Sequence, residues 1–214
     1  LDFAEPRRPI TASFIGGRGH YEQVVRAVMD ARRSVWIATA NLKELMVEDH
    51  RAAPGRRRTS RAGKGAAAYR SILAVFDELA GKGVELRILH ASPPSGPFRR
   101  ELARHPQLGK ALALRTCPRV HFKAVIVDGG YLYLGSANWT GAGLGAKGTG
   151  RRNFELGFAT ADDLLLDRVQ ELYERVWRGA ECKGCKLRDV CPAPLDTPPG
   201  PAAKTAKPPA RRAL

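Results

Sequence analysis

Acidic residues are in short supply in this chain of 214: 21 Asp and Glu stand against 36 Lys and Arg, a formal net charge of +15. That imbalance argues for a polyanionic partner, either nucleic acid or an anionic membrane surface, although a genome's base composition can also produce such an Arg-, Ala-, Gly- and Pro-rich chain. No apolar run approaches the roughly 20 residues that cross a bilayer. The first residues, Leu1 to Pro9, are charged and lack the apolar core and small-residue cleavage site of a signal peptide. A cytoplasmic protein is therefore expected. Cysteine is sparse too, with four in all, and three crowd into one C-terminal run, which suits metal binding or redox chemistry better than a disulfide framework.

What is present suffices for one α/β core, while two catalytic domains would not fit. Apolar spacing predicts a helix over His20–Arg33 feeding a strand at Ser34–Ala40, then a second helix over Ala66–Ala80 feeding a strand at Val84–His90. Between them, residues 47–65 form a basic, Pro/Gly-punctuated loop that cannot fold against a core by itself. A short helix and strands at Ala111–Arg115, Val120–Val127, Tyr131–Leu134 and Phe154–Ala159 follow, with Asp128-Gly129-Gly130 as a hairpin turn. Asp162–Trp177 reads as an amphipathic helix. The alternation predicts an α/β layered domain with a mixed sheet over residues 1–179, a cysteine knot at 180–192, and a basic Pro/Ala-rich tail at 193–214 expected to be disordered.

The densest chemical signal is His121-Phe122-Lys123, then Asp128, then Gly135-Ser136-Ala137-Asn138. On an extended segment His121 and Lys123 project to one side. A neutral imidazole can attack phosphorus, and an adjacent ammonium neutralises a phosphate oxygen as charge builds in the transition state. Ser136 and Asn138 supply donors for the remaining oxygens, and Gly135 lets the backbone come close. Glu155 either orients the histidine or pairs with Arg151 or Arg152. Asp128 either joins the site or bonds amides near its turn. Trp139 either stacks on a base or belongs to the core, while Lys147, Arg151 and Arg152 could form a basic rim along a nucleic-acid backbone.

These residues resemble the signature of the phospholipase D superfamily, His-x-Lys-x4-Asp-x6-Gly-Ser-x-Asn, matched by His121, Lys123, Asp128, Gly135, Ser136 and Asn138. The similarity in rhythm runs from about Val24 to Trp177. It implies a phospholipase D-like layered sandwich, its mixed sheet flanked by helices, and a phosphodiesterase that works through a phosphohistidine without a metal cofactor. Superfamily members use two His-Lys motifs, and this chain has one. His20, His50, His90 and His105 each lack a lysine two positions later. By analogy with single-motif members such as small bacterial endonucleases, a homodimer is expected to complete the active site. Nucleic acid is the favoured substrate, with phospholipase D or phosphatidyl transferase activity as the alternative and a non-catalytic nucleic-acid-binding module as a third reading. Separately, Cys182-x2-Cys185-x5-Cys191 supplies three thiolates of a structural zinc or iron–sulfur site. Cys117 is either the fourth ligand or a small core residue; redox-active thiols are the other reading.

Overall fold

The computed structural model describes residues 3–49 and 69–197. Most of the expected basic loop and residues 198–214 of the tail lie outside the described residues. Seven strands form one sheet in the order β1 (Ala12–Gly16), β9 (Leu156–Thr160), β8 (Tyr131–Gly135), β7 (Lys123–Val127), β2 (Ser34–Thr39), β5 (Glu85–His90), β6 (Leu112–Thr116). The β2–β5 and β5–β6 pairs are parallel and the rest antiparallel, so the sheet is mixed, as the alternation of elements predicts. Parallel neighbours need crossovers: α2 (Ile72–Gly81) carries the chain from β2 to β5, and the short α3 (Gly96–Leu102) and α4 (Pro106–Ala111) carry it to β6.

Strand alternation sorts side chains onto two faces. Val35, Ile37, Leu86, Ile88, Val125, Val127 and Tyr133 join the larger core beneath α2 and the His20–Met29 helix. Ala38, Leu89, Ala124, Ile126 and Leu132 join a second core with Leu166, Val169 and Tyr173 of α5 (Asp163–Trp177). The two long helices have side-chain caps: Ser71 Oγ accepts from the Leu73 N–H at 3.0 Å, and Asp162 Oδ1 from the Leu165 N–H at 2.9 Å.

Several expected boundaries move. The His20–Arg33 helix ends at Met29 and opens as a π-turn, His20–Val25, before one α-helical turn, Arg26–Met29. The second helix begins at Ile72, because Tyr69–Ser71 (β4) pairs antiparallel with Met46–Glu48 (β3) as a separate ribbon. The single short helix is two, since Pro106 opens α4. The strand expected at Val120 starts at Lys123, where pairing with Gly135 begins; before it, the Val120 N–H turns back to the Cys117 carbonyl at 2.9 Å. The strand expected at Phe154 starts at Leu156, leaving Phe154 fully exposed. Edge strand β1 has no counterpart in the sequence reading.

Candidate active site

The parallel strands β2 and β5 end at Thr39 and His90, the edge of the sheet where β7 begins and β8 ends. His121 and Lys123 arrive there together. The His121 side chain is exposed, whereas Lys123 is 9% exposed. Lys123 Nζ donates to the His121 carbonyl at 2.6 Å and lies 3.3 and 3.4 Å from Nδ1 and Nε2 of the same ring. Near-equal distances place the ammonium across the imidazole rather than in line with one lone pair. Burial lowers the Lys123 pKa, and the negative charge of Glu155 works against that shift.

Glu155 precedes β9, next to the end of β8. Ser136 Oγ donates to Glu155 Oε2 at 2.5 Å and Asn153 Nδ2 to Oε1 at 3.0 Å. Ser136 is itself fastened to Leu156, its N–H donating to the Leu156 carbonyl and its Oγ accepting the Leu156 N–H. Glu155 therefore enters the cluster through Ser136, Asn153 and the charge of Lys123. Its oxygens are held by those two donors rather than by His121, Arg151 or Arg152, which corrects both readings of this residue for the single chain.

Asn138 is oriented by its acceptor end. Its Oδ1 accepts from the N–H groups of Ala40 and Asn41 at 3.1 and 3.0 Å and from Thr39 Oγ1 at 3.3 Å. Asn138 also lines a cleft of about 430 Å³, together with Lys43, Glu44, Lys147, Arg151 and Asn153 among others. Among the described residues, none of the three cations Lys43, Lys147 and Arg151 has an acidic partner within ion-pair distance. Arg152 does something else: its Nε donates to the Lys147 carbonyl at 2.6 Å, closing the glycine-rich loop instead of lining the cleft.

Two motif positions have structural settings. Asp128 sits at the far end of β7 with φ of 56°, and its carboxylate accepts the N–H groups of Arg32, Arg33 and Ser34 at 2.6 to 3.1 Å. Burial would raise its pKa, but the three N–H donors outweigh that and lower it. Of the two roles open to it, the fold realises amide binding, remote from His121. Gly135 faces Gly157 across the β8–β9 pair. A Cβ on Gly135 would come within 2.6 Å of the Leu156 carbonyl and 2.8 Å of Gly157 Cα, so the close approach is that of a neighbouring strand, not of a substrate.

Trp139 is corrected as a substrate residue. At 1% exposure it stacks on Phe76 with ring centroids 6.0 Å apart, and a base cannot reach it. The sequence reading missed Asn41, Lys43, Asn153 and His20. The first two follow a buried parallel strand, the position where open α/β sheets bind ligands, and that signal was legible. His20 was passed over for want of a following lysine. It is fully buried, its ring edge-on to Tyr133 at 5.5 Å, its Nδ1 3.2 Å from the Gly17 carbonyl and its Nε2 unpartnered. Burial lowers its pKa.

At the same end of the sheet, beyond β6, Cys117, Cys182, Cys185 and Cys191 are free thiols lining one small cavity. Burial pushes the Cys117 thiol up, and Cys182 and Cys191 push it the same way. Among the described residues no three His, Cys, Asp or Glu side chains meet in a metal-holding geometry, and no helix is long and apolar enough to cross a membrane.

No curated protein matches the chain. Among solved structures the chain resembles NucT from Helicobacter pylori, at 16% identity and a TM-score of 0.52, and Nuc, a phospholipase D family member from Salmonella typhimurium, at 18% and 0.51. Each covers 78% of this chain and 95% of its own. Polyphosphate kinase from Porphyromonas gingivalis, at 14% identity and a TM-score of 0.50, covers 91% of this chain with 27% of its own. These likenesses establish the fold. The family model described as "Cardiolipin synthase, PLD-like domain" matches residues 65–177, just over half of the chain and the whole of the His121–Asn138 motif. With that motif standing on a mixed sheet flanked by helices, the chain belongs to the phospholipase D-like superfamily of phosphodiesterases.

Proposed function

We propose that this protein is a nuclease that cleaves phosphodiester bonds through a phosphohistidine on His121, within a homodimer. The observation that carries the reading is the pairing of an exposed imidazole with a buried lysine, beside a cleft walled by Lys43, Lys147 and Arg151. A buried ammonium acts on phosphate charge more strongly than one in water. The Asn138 amide adds a fixed donor. Walls that set three cations against one carboxylate, Glu44, suit a continuous polyanion better than a single headgroup.

In this scheme a ring nitrogen of His121 attacks phosphorus and the bond to the leaving oxygen breaks. That oxygen takes a proton from the imidazolium of His121 of the partner subunit. Water then attacks the phosphohistidine, giving its proton to the same partner imidazole, and the P–N bond breaks to restore His121. Lys123 and Asn138 hold the phosphoryl oxygens throughout. One motif per chain calls for the second copy, and Phe14, Phe154 and Leu156, which are 79, 106 and 60% exposed on β1 and around Glu155, offer an apolar surface that pairing would cover. NucT and Nuc are chains that this one spans almost end to end. Four free thiols suit a reducing compartment such as the cytoplasm.

The same apolar rim and the cardiolipin synthase description support a second reading, in which the phosphodiester belongs to a lipid. Incubation with DNA, RNA and phosphatidylglycerol vesicles in excess EDTA, in parallel with His121→Ala, separates the readings. Cleavage of nucleic acid that survives chelation and vanishes in the variant supports the nuclease. Headgroup release without nucleic-acid cleavage would replace it with the lipid enzyme, and binding without turnover on any substrate would replace both with a binding module.

A further inference from the structure

The chain from Arg178 to Thr197 follows α5 as a succession of turns with one 3-10 turn at Arg188–Val190. It is held by short-range bonds such as Cys182 N–H to the Gly179 carbonyl at 2.9 Å and Arg188 N–H to the Cys185 carbonyl at 3.0 Å. Ordering each such residue costs about 1–2 kcal/mol of backbone entropy, and a segment must bury apolar surface or be stapled to recover it. Apolar burial here is slight. Leu195 is the one large apolar side chain of the segment that is buried, while Leu187 and Val190 are 40 and 76% exposed. The residues turned inward between them are Cys182, Cys185 and Cys191, each half-buried.

All three face Cys117 across a cavity of about 30 Å³, with Val176, Leu195 and Pro194 in its walls. That is room for one water-sized body. Every cysteine of the chain thus borders one small space, although Cys117 lies 65 positions before Cys182. Gly184, with φ of 79°, forms the tight turn between Cys182 and Cys185, a turn that lets two side chains three positions apart point the same way. No disulfide relieves the crowding.

We propose that Cys117, Cys182, Cys185 and Cys191 are the four ligands of a thiolate-bound zinc ion that staples the C-terminal segment to the core. Four soft, anionic sulfurs select such a metal over the hard cations that prefer oxygen. Because no three of the thiols yet stand in a metal-holding geometry, binding draws the turns at Cys182, Cys185 and Cys191 towards Cys117. Turns without apolar anchorage yield to this cheaply. Thiol protons leave as the S–metal bonds form, and nothing is oxidised.

The centre has a mechanical consequence. Cys117 closes β6, with its N–H donating to the His90 carbonyl at 2.9 Å, and is four residues from His121. Arg115 on the same strand binds the Leu195 carbonyl at 2.6 Å and the Trp177 carbonyl. A staple at Cys117 therefore fixes the start of the loop that delivers His121.

The test is metal analysis of the full chain purified without oxygen. One zinc per chain is expected; iron with matching acid-labile sulfide and visible absorption would overturn the zinc centre. Titration of the wild type with a mercurial should release that metal as four thiols are blocked, which needs no variant to fold. Cys182→Ser with Cys185→Ser should lose the metal and expose the C-terminal segment to protease. Four freely reacting thiols with no metal, a disulfide among them, or metal retained by the double variant would each overturn the centre. None of these readouts depends on nuclease activity, so they stand apart from the function proposed above.

Discussion

Strand β7 has a motif residue at each end, and the two ends differ in how far their polar groups are satisfied. At one end Lys123 is a buried cation with Glu155 near enough to stabilise its charge, beside an exposed imidazole whose ring nitrogens, among the described residues, have no acceptor or carboxylate partner. At the other, about 16 Å along the strand, the Asp128 carboxylate is filled by three backbone N–H donors, and the Arg33 guanidinium binds its carbonyl. An end with unsatisfied groups is available to a ligand; an end with saturated groups holds one strand to the next. Motif spacing alone does not distinguish the two jobs, because it records where residues fall on the hairpin and not what they meet there.

The sharpest way to break this contrast is to empty each end in turn. His121→Ala should reduce turnover on the order of 10⁴-fold or more while moving stability by less than about 0.5 kcal/mol, as for other exposed side chains. Steady-state turnover and thermal melting read the two quantities on one sample. Turnover in the alanine variant within tenfold of wild type would remove His121 from the chemistry.

Lys123→Met separates activity from stability by sign. Turnover should fall by about 10²- to 10⁴-fold, since a group that neutralises transition-state charge is lost, whereas the melting temperature should hold or rise because a desolvated cation is replaced by an apolar chain. The pH behaviour of wild type follows from the lowered pKa of Lys123. Between that value and the ordinary 10.5 the unfolded chain binds more protons than the folded one, so this group makes stability rise with pH. Activity should fall over the same window as the ammonium is lost. Activity and stability declining together there would point to alkaline unfolding instead.

Asp128→Ala should reverse the pattern, costing about 1–3 kcal/mol by stranding backbone donors and leaving turnover per folded molecule near wild type. Because the carboxylate's pKa is lowered by those donors, its contribution is complete above the ordinary value of 3.8 and fades as pH falls through the depressed one. Urea melts of wild type and Asp128→Asn at falling pH should converge. A variant that melts like wild type but does not turn over would return Asp128 to the active site.

How much of this was legible follows the range of the forces involved. The β7–β8 hairpin, α5 with its Asp162 cap and the fold class are encoded by local periodicity and turn chemistry, which a sequence displays directly. β1 was missed because Ala12–Gly16 is recognisable as a strand only through its pairing with β9, 140 to 148 residues away. Tyr69–Ser71 was folded into a helix because its partner, Met46–Glu48, lies more than 20 residues earlier in the chain. In the site, His121, Lys123 and Asn138 could be named from spacing. The capture of Glu155 by Ser136 and Asn153 could not, since it depends on how β8 and β9 meet at Gly135 and Gly157. Trp139 shows the same limit: an aromatic beside a motif stacks on a base or on Phe76 according to tertiary packing alone.

The smallest expected effect sharpens the contrast at the cleft rather than at the strand. Lys147 is exposed on its wall, with its N–H donating to the Gly141 carbonyl at 3.1 Å. A cation so placed meets phosphate as a point charge and reads no base. Lys147→Ala should therefore weaken nucleic-acid binding about equally for every sequence, and the slope of log affinity against log salt should shallow by about one phosphate's worth. Turnover at saturating substrate should barely change, because Lys147 is not among the groups around His121. If the variant instead lowers turnover at saturation and leaves the salt slope alone, the cleft wall and the β7 terminus act as one site, and the division between binding surface and reacting centre drawn from Asn138 and Lys123 fails.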